Sequence, residues 1–136
     1  MRSFISVHIH CVWSTTEREP SLHSKLRDRL WPYLGGIARE NKMKALAIGG
    51  AADHVHMLIS LPATISITKT IQLLKGNSSK WIHEIFPEMH SFEWQKGYGA
   101  FRVGVSAIDA TVGYIRNQAE RHHKHTFREE FKTMLR

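Results

Sequence analysis

Two segments that alternate like strands each carry two histidines separated by one residue, His54-Val55-His56 and His8-Ile9-His10. On a β-strand, residues i and i+2 project from the same face, about 7 Å apart along the chain. Either pair therefore offers two imidazoles that can converge on one divalent cation. Two histidines that merely alternate on a half-exposed strand have the same spacing, and the pattern alone does not choose between the pairs. A third group lies in the segment YIRNQAERHH. Tyr114 and Gln118 are one helical turn apart there, with about 5–6 Å between their Cβ atoms, and His122 continues the stripe. Gln118 offers a neutral oxygen ligand, and Tyr114 a phenol beside whatever Gln118 holds. A surface helix with a half-buried tyrosine accounts for the same residues. Asp53 is the only acid beside the His54/His56 pair, either orienting a histidine or capping a turn.

Other residues suit contact with a polyanion. Lys69, Gln72, Lys75, Ser79, Lys80 and His83 form one polar helix face, where lysines beside small hydroxyls fit phosphate oxygens; a solvated face explains them nearly as well. The loop Phe92-Glu93-Trp94-Gln95-Lys96-Gly97-Tyr98-Gly99 interleaves aromatics with a base. Trp94 and Tyr98 can stack unpaired nucleobases or equally cover the edge of the core. The chain has no Walker loop, no G-x-S-x-G, no dinucleotide fingerprint and no cysteine nucleophile with a partnered base. Paired carboxylates at a plausible site are also missing.

Periodicity supplies the elements that must position these groups. Residues 4–13 alternate as a strand, with Ile5, Val7, Ile9, Cys11 and Trp13 on one face and His8 and His10 on the other. Helical spacing covers roughly 21–41, where Pro32 and Gly35-Gly36 should kink or weaken the helix. A short strand follows at 44–49 and a turn at 50–53. A strand at 54–61 has Val55, Met57, Ile59 and Leu61 on one face and both histidines on the other. A second helix takes in Ile67 to Ile85, a fourth strand spans 100–106, and a third helix runs from about Ile108 into His125. A short terminal helix covers 127–135. This order predicts an α+β fold of the ferredoxin-like βαββαβ type with additional C-terminal helices, strands 1 and 3 side by side and antiparallel at its centre. Two helices should cover one sheet face, leaving the histidine face for the C-terminal helices or a ligand.

The length of 136 residues and mass of 15.7 kDa fit one domain, residues 1–136. No apolar run approaches the roughly 18 residues of a membrane span. The N-terminal MRSFISVHIH lacks the apolar stretch of a signal peptide. The single cysteine, Cys11, excludes an internal disulfide framework and a cysteine-cluster zinc site, and suits a reducing cytoplasm. Nineteen Lys and Arg against twelve Asp and Glu give a net charge of +7, which points to a polyanionic partner, nucleic acid first.

The segments ADHVHMLISL, LKGNSSKWI, WQKGYGAF and YIRNQAERHH together resemble the small single-tyrosine HUH transposases of bacterial insertion sequences, the two-hundred-type family; HUH denotes His-hydrophobic-His. The resemblance runs over nearly the whole chain. DHVH followed some sixty residues later by YIxxQ is far more specific than either piece. It also separates the two histidine pairs: the family's metal pair matches His54 and His56, its third ligand Gln118 and its nucleophile Tyr114. His8 and His10 lie outside the motif, and His10 becomes a candidate to support the metal histidines or to touch DNA. The resemblance implies a ferredoxin-like fold, magnesium or manganese, and single-stranded DNA hairpins at element ends as substrate. It also implies a homodimer whose sites are shared, the histidines from one subunit and the helix of Tyr114 and Gln118 from the other. Domesticated repeat-associated tyrosine transposases are close relatives, and the absence here of the extended C-terminal region many of them carry favours an insertion-sequence enzyme. Two other readings compete. One is a non-enzymatic RRM-like nucleic-acid-binding module, which shares the element order but needs RNP-type aromatics absent here. The other is a zinc hydrolase built on His54, His56 and a further histidine such as His10 or His122.

Overall fold

The computed structural model describes residues 7–118. Their elements are β1 (Val7–Ser14), α1 (Ser24–Glu40), β2 (Lys44–Gly50), β3 (His54–Leu61), α2 (Ile67–Ile85), β4 (Gly99–Val103) and α3 (Ile108–Arg116), with single 3-10 turns at Thr16–Arg18, Pro87–Met89 and Val105–Ala107. The sheet order is β2-β3-β1-β4 with every pair antiparallel. This is the α+β, ferredoxin-like arrangement expected, with β1 and β3 central.

Alternation along the two central strands sorts the sheet into two faces. Ile9, Cys11, Trp13, Val55, Met57, Ile59 and Leu61 point to one side, where they join Leu26, Leu30, Leu34 and Ile37 of α1 and Ile71, Leu74 and Ile82 of α2 in the main core. Spacing of three and four along each helix keeps these residues on the sheet side. The Nδ1 of His23 accepts the Leu26 N–H at the start of α1, and Ser66 Oγ accepts the Lys69 N–H at the start of α2. Pro87 follows α2 and cannot extend it. The second face carries a smaller cluster, in which Ile115 of α3 packs on Ala47 and Leu58.

Several boundaries differ from the periodicity. Helix α1 begins at Ser24 rather than near residue 21 and runs through Pro32 and Gly35-Gly36 to Glu40, with the buried Leu30 and Leu34 on either side of the proline. Strand β4 stops at Val103, opposite His8, and Ser106 lies in the 3-10 turn closed by the Ala107 N–H on the Gly104 carbonyl. Helix α3 ends at Arg116, where Asn117 leaves helical geometry at φ −97°, ψ 15°, and Gln118 is helical again. The remainder of the expected third helix, the terminal helix, and residues 4–6 of the first strand lie outside the described residues. Among the described residues no helix is long and apolar enough to cross a membrane.

Cys11 is 1% exposed in the main core, and burial pushes its thiol up from 9.0 to about 12. A thiol whose folded pKa is raised stabilises the fold below its unfolded value and loses that contribution as pH rises through the folded value. Iodoacetamide at pH 9 is therefore expected to leave Cys11 unmodified in the folded protein and to alkylate it in denaturant, as read by mass spectrometry. Stability against urea should fall as pH climbs from 9 toward 12.

Candidate active site

Strand β3 delivers His54 and His56 to the second sheet face, and both are fully buried. The turn before β3 is tight: Gly50 adopts φ +154°, and a Cβ there would collide with the His54 carbonyl oxygen. The Thr15 N–H on the Asp53 carbonyl (2.9 Å) and the Leu22 N–H on the Ala52 carbonyl (2.9 Å) anchor this turn. It thereby holds Asp53, whose Oδ1 lies 2.7 Å from His54 Nδ1. Its side chain is thus placed to orient the His54 ring, one of the two roles read for it.

The fourth group comes from the far end of the chain. Helix α3 packs through Ile115, and the Gln118 that follows is also fully buried, with Oε1 3.0 Å from His54 Nε2. Its amide nitrogen donates to the Tyr114 carbonyl at 3.2 Å. The Tyr114 ring stands edge-on to His56, centroids 5.7 Å apart at 83°, and edge-on to His10 at 6.0 Å. His10, 5% exposed on β1, brings its Nε2 to 2.8 Å from His56 Nδ1. Burial lowers its pKa from 6.5 to about 4, so at neutral pH it is an uncharged imidazole.

The donor set can be tested against a cation. With Nδ1–H of His54 donating to the Asp53 carboxylate, Nε2 carries a lone pair. That lone pair faces the Gln118 amide oxygen, also an acceptor, because the amide nitrogen is engaged elsewhere. Two acceptors 3.0 Å apart require a proton or a cation between them. The distance equals the edge of an octahedron with bonds of about 2.1 Å, the length magnesium demands. Mixed nitrogen and neutral oxygen donors fit a divalent cation of this kind. Among the described residues no three His, Cys, Asp or Glu side chains gather into a metal-holding group, and His10 Nε2 is turned to His56 rather than into the site. Among the described residues the oxygen that faces His54 Nε2 is the Gln118 amide, and His122 lies outside them.

The other expected residues lie elsewhere. His8 sits one cross-strand pair along from His10, opposite Ser60 and Val103. Lys75 of α2 donates to the Gln95 and Gly97 carbonyls at 2.7 and 3.1 Å, and burial lowers its pKa. Trp94 covers the core edge against Trp13 and Phe92, its Nε1 donating to Ser78 Oγ at 3.0 Å. Tyr98 is exposed and shares a hydrogen bond with Thr68, and Lys80 is exposed on α2. His122 lies outside the described residues. Within this single chain Tyr114 and Gln118 lie beside its own histidines. Sequence reasoning missed two supports. Phe101 of β4 flanks His10 at 6.4 Å, and its alternation along β4 was the available signal. Gly49 of β2 gives α3 room: a Cβ there would collide with the Ile115 carbonyl oxygen.

Known proteins resemble this chain in sequence and fold. The sequence model of a family described as "Transposase IS200 like" matches residues 3–118. The transposase for insertion sequence element IS200 of Salmonella typhimurium is 26% identical over 117 residues, 82% of this chain and 76% of the relative. The ISDra2 transposase TnpA of Deinococcus radiodurans is 27% identical over 85 residues, 62% of this chain and 61% of the relative. A crystal structure described as a transposase from Deinococcus radiodurans R1 superposes with a TM-score of 0.72 at 25% identity, covering 88% of this chain and 96% of that one. A REP-associated tyrosine transposase bound to a REP hairpin shares the fold, with a TM-score of 0.65 at 15% identity over 93% of this chain and 73% of that one.

The Gly49 clearance is testable. Gly49→Ala should lower unfolding free energy by about 1–3 kcal/mol, since backbone must move. Gly76→Ala, on α2 with no heavy atom within 4 Å of the added carbon, should raise it by about 0.5–1 kcal/mol. Urea titrations of the two variants read both values.

Proposed function

Because the chain belongs to the IS200-like transposase family, we propose that it cuts and rejoins single-stranded DNA at hairpins through a covalent link to Tyr114. The observation that carries this reading is the meeting of Tyr114 and Gln118 with the β3 histidines, the tyrosine ring 5.7 Å from His56 and the amide oxygen 3.0 Å from His54. In the proposed reaction the Tyr114 hydroxyl oxygen attacks the scissile phosphorus and the bond to the 3′ oxygen breaks. The phenol gives up its proton, and the departing 3′ oxygen gains one. The product is a 5′-phosphotyrosine and a free 3′-hydroxyl. No water is consumed, so a second 3′-hydroxyl can attack the phosphotyrosine, release Tyr114 and join new ends without ATP.

A phenol with a pKa near 10 is a weak nucleophile at neutral pH, and charge builds on the phosphoryl oxygens as it attacks. A magnesium or manganese ion held by His54, His56 and Gln118 would supply Lewis acidity to that phosphate. The ligating side chains are themselves uncharged and do not repel the DNA. Asp53 fixes the His54 ring from behind, and Gln118 is turned by its own bond to the Tyr114 carbonyl, so ligand and nucleophile move together.

The net charge of +7 suits the DNA backbone. Of the residues expected to touch it, Lys80 and Tyr98 present exposed side chains, while Lys75 and Trp94 are engaged within the protein. The same reading makes the protein a homodimer, which light scattering tests.

Tyr114→Phe should abolish cleavage of a single-stranded hairpin substrate while hairpin binding stays within about twofold. Continued cleavage by this variant would instead indicate a hydrolase. His54→Ala and Gln118→Ala should each weaken manganese binding in calorimetric titration, whereas His8→Ala should bind as the parent does. Equal loss on replacing His8 would assign the metal to the wrong pair.

A further inference from the structure

We infer that His10 is a positioning residue for this site: it dictates which nitrogen of His56 is left as a lone pair and backs the ring of Tyr114 at the same time. The inference rests on the proposed strand-transfer reading and assigns a role within it to a residue outside the HUH motif. His10 Nε2 and His56 Nδ1 are 2.8 Å apart. One proton must lie between two neutral imidazole nitrogens at that distance. If His10 donates it, the second ring proton of His56 sits on Nε2, and that nitrogen is useless as a ligand. If His56 donates through Nδ1, its Nε2 lone pair is left for a cation. A histidine that binds metal has its other nitrogen held in this way by an acceptor.

The surroundings of His10 suit an uncharged partner for His56 rather than a carboxylate. Asp53 does the corresponding work for His54 from the sheet end, where a carboxylate is partly open to water: its side chain is 13% exposed. His10 lies at the sheet centre, where a lone carboxylate would be a costly buried charge. An imidazole accepts the same hydrogen bond without charge. Its place follows from register. In the β1–β3 ladder His10 is opposite Leu58 and Val12 is opposite His56, which makes His10 and His56 diagonal neighbours on one face. His8, two residues along, is opposite Ser60 and is displaced from His56 by a further pair. Only one histidine of the His8-Ile9-His10 pair is therefore recruited. Phe101 and Tyr114 stand edge-on to the His10 ring at 6.4 and 6.0 Å, so the acceptor is held by packing on two further elements.

Long-range proton–nitrogen spectra of the metal-free protein read the His56 tautomer directly. The wild type should carry the His56 proton on Nδ1. His10→Phe keeps a ring against Phe101 and Tyr114 but removes the acceptor, and His56 should shift toward the Nε2–H form that free imidazole prefers. His10→Gln offers a carbonyl oxygen near the place of Nε2 and should restore Nδ1–H. In calorimetric titration with manganese, His10→Phe should bind about 10- to 100-fold more weakly than wild type, and His10→Gln should recover most of that loss. A wild-type His56 protonated on Nε2, or a tautomer unchanged in His10→Phe, overturns the inference. Should His10→Phe fail to fold, the wild-type and His10→Gln spectra still decide. A His10-dependent tautomer in a protein that binds no manganese supports the positioning role and overturns only the cation reading above.

Discussion

A buried imidazole must find partners for its ring nitrogens, because an unmet polar group away from water costs on the order of 1–3 kcal/mol. His54 and His56 are both wholly buried on one sheet face, and much of the molecule is arranged around that requirement. Asp53 meets His54 from the turn, His10 meets His56 from the neighbouring strand, and Gln118 arrives from beyond α3. Each partner lies on a different element. The histidine pair therefore links the turn before β3, the central strand β1 and the end of α3 in one polar network.

The two faces of the sheet divide the work. The larger cluster beneath α1 and α2 holds the sheet flat against its helices and contains no site residue. The smaller cluster of Ala47, Leu58 and Ile115 seats α3. Its few side chains, with Gly49 giving way beneath Ile115, set the distance between Tyr114 and the histidines. A short helix on a central sheet suits the proposed role of Tyr114, since small displacements of a nucleophile are costly to rate. Half-buried Trp94 and Lys75 tie the loop before β4 to α2 through Ser78 and the Gln95 and Gly97 carbonyls.

The proposed chemistry is economical in charge. A tyrosine nucleophile needs no bound water, and a phosphotyrosine keeps the energy of the broken phosphodiester for rejoining. Uncharged ligands leave the field of a cation undiminished toward the phosphate, and the one carboxylate nearby stands behind His54 rather than in the site.

Much of this was legible in the residues themselves. Period-two alternation marked β1 and β3 and separated apolar from histidine faces, and helical spacing marked α1 and α2, because these patterns depend only on local geometry. The Tyr114–Gln118 spacing and the doublet at His54 and His56 were likewise visible. The two histidine doublets were equivalent by pattern, and a resemblance was needed to choose between them. Local spacing also could not show that Asn117 ends α3, that Trp94 faces the core, or that Gly49 must be bare. Those outcomes rest on contacts between residues far apart in the chain. The role of His10 shows why: it meets His56 across 46 positions, through a strand register that becomes defined only when β1 and β3 pair. The sequence by itself determined which face each residue of the central strands takes; the tertiary structure alone decided which side chains meet there, because register and helix docking are set by burial across the whole sheet.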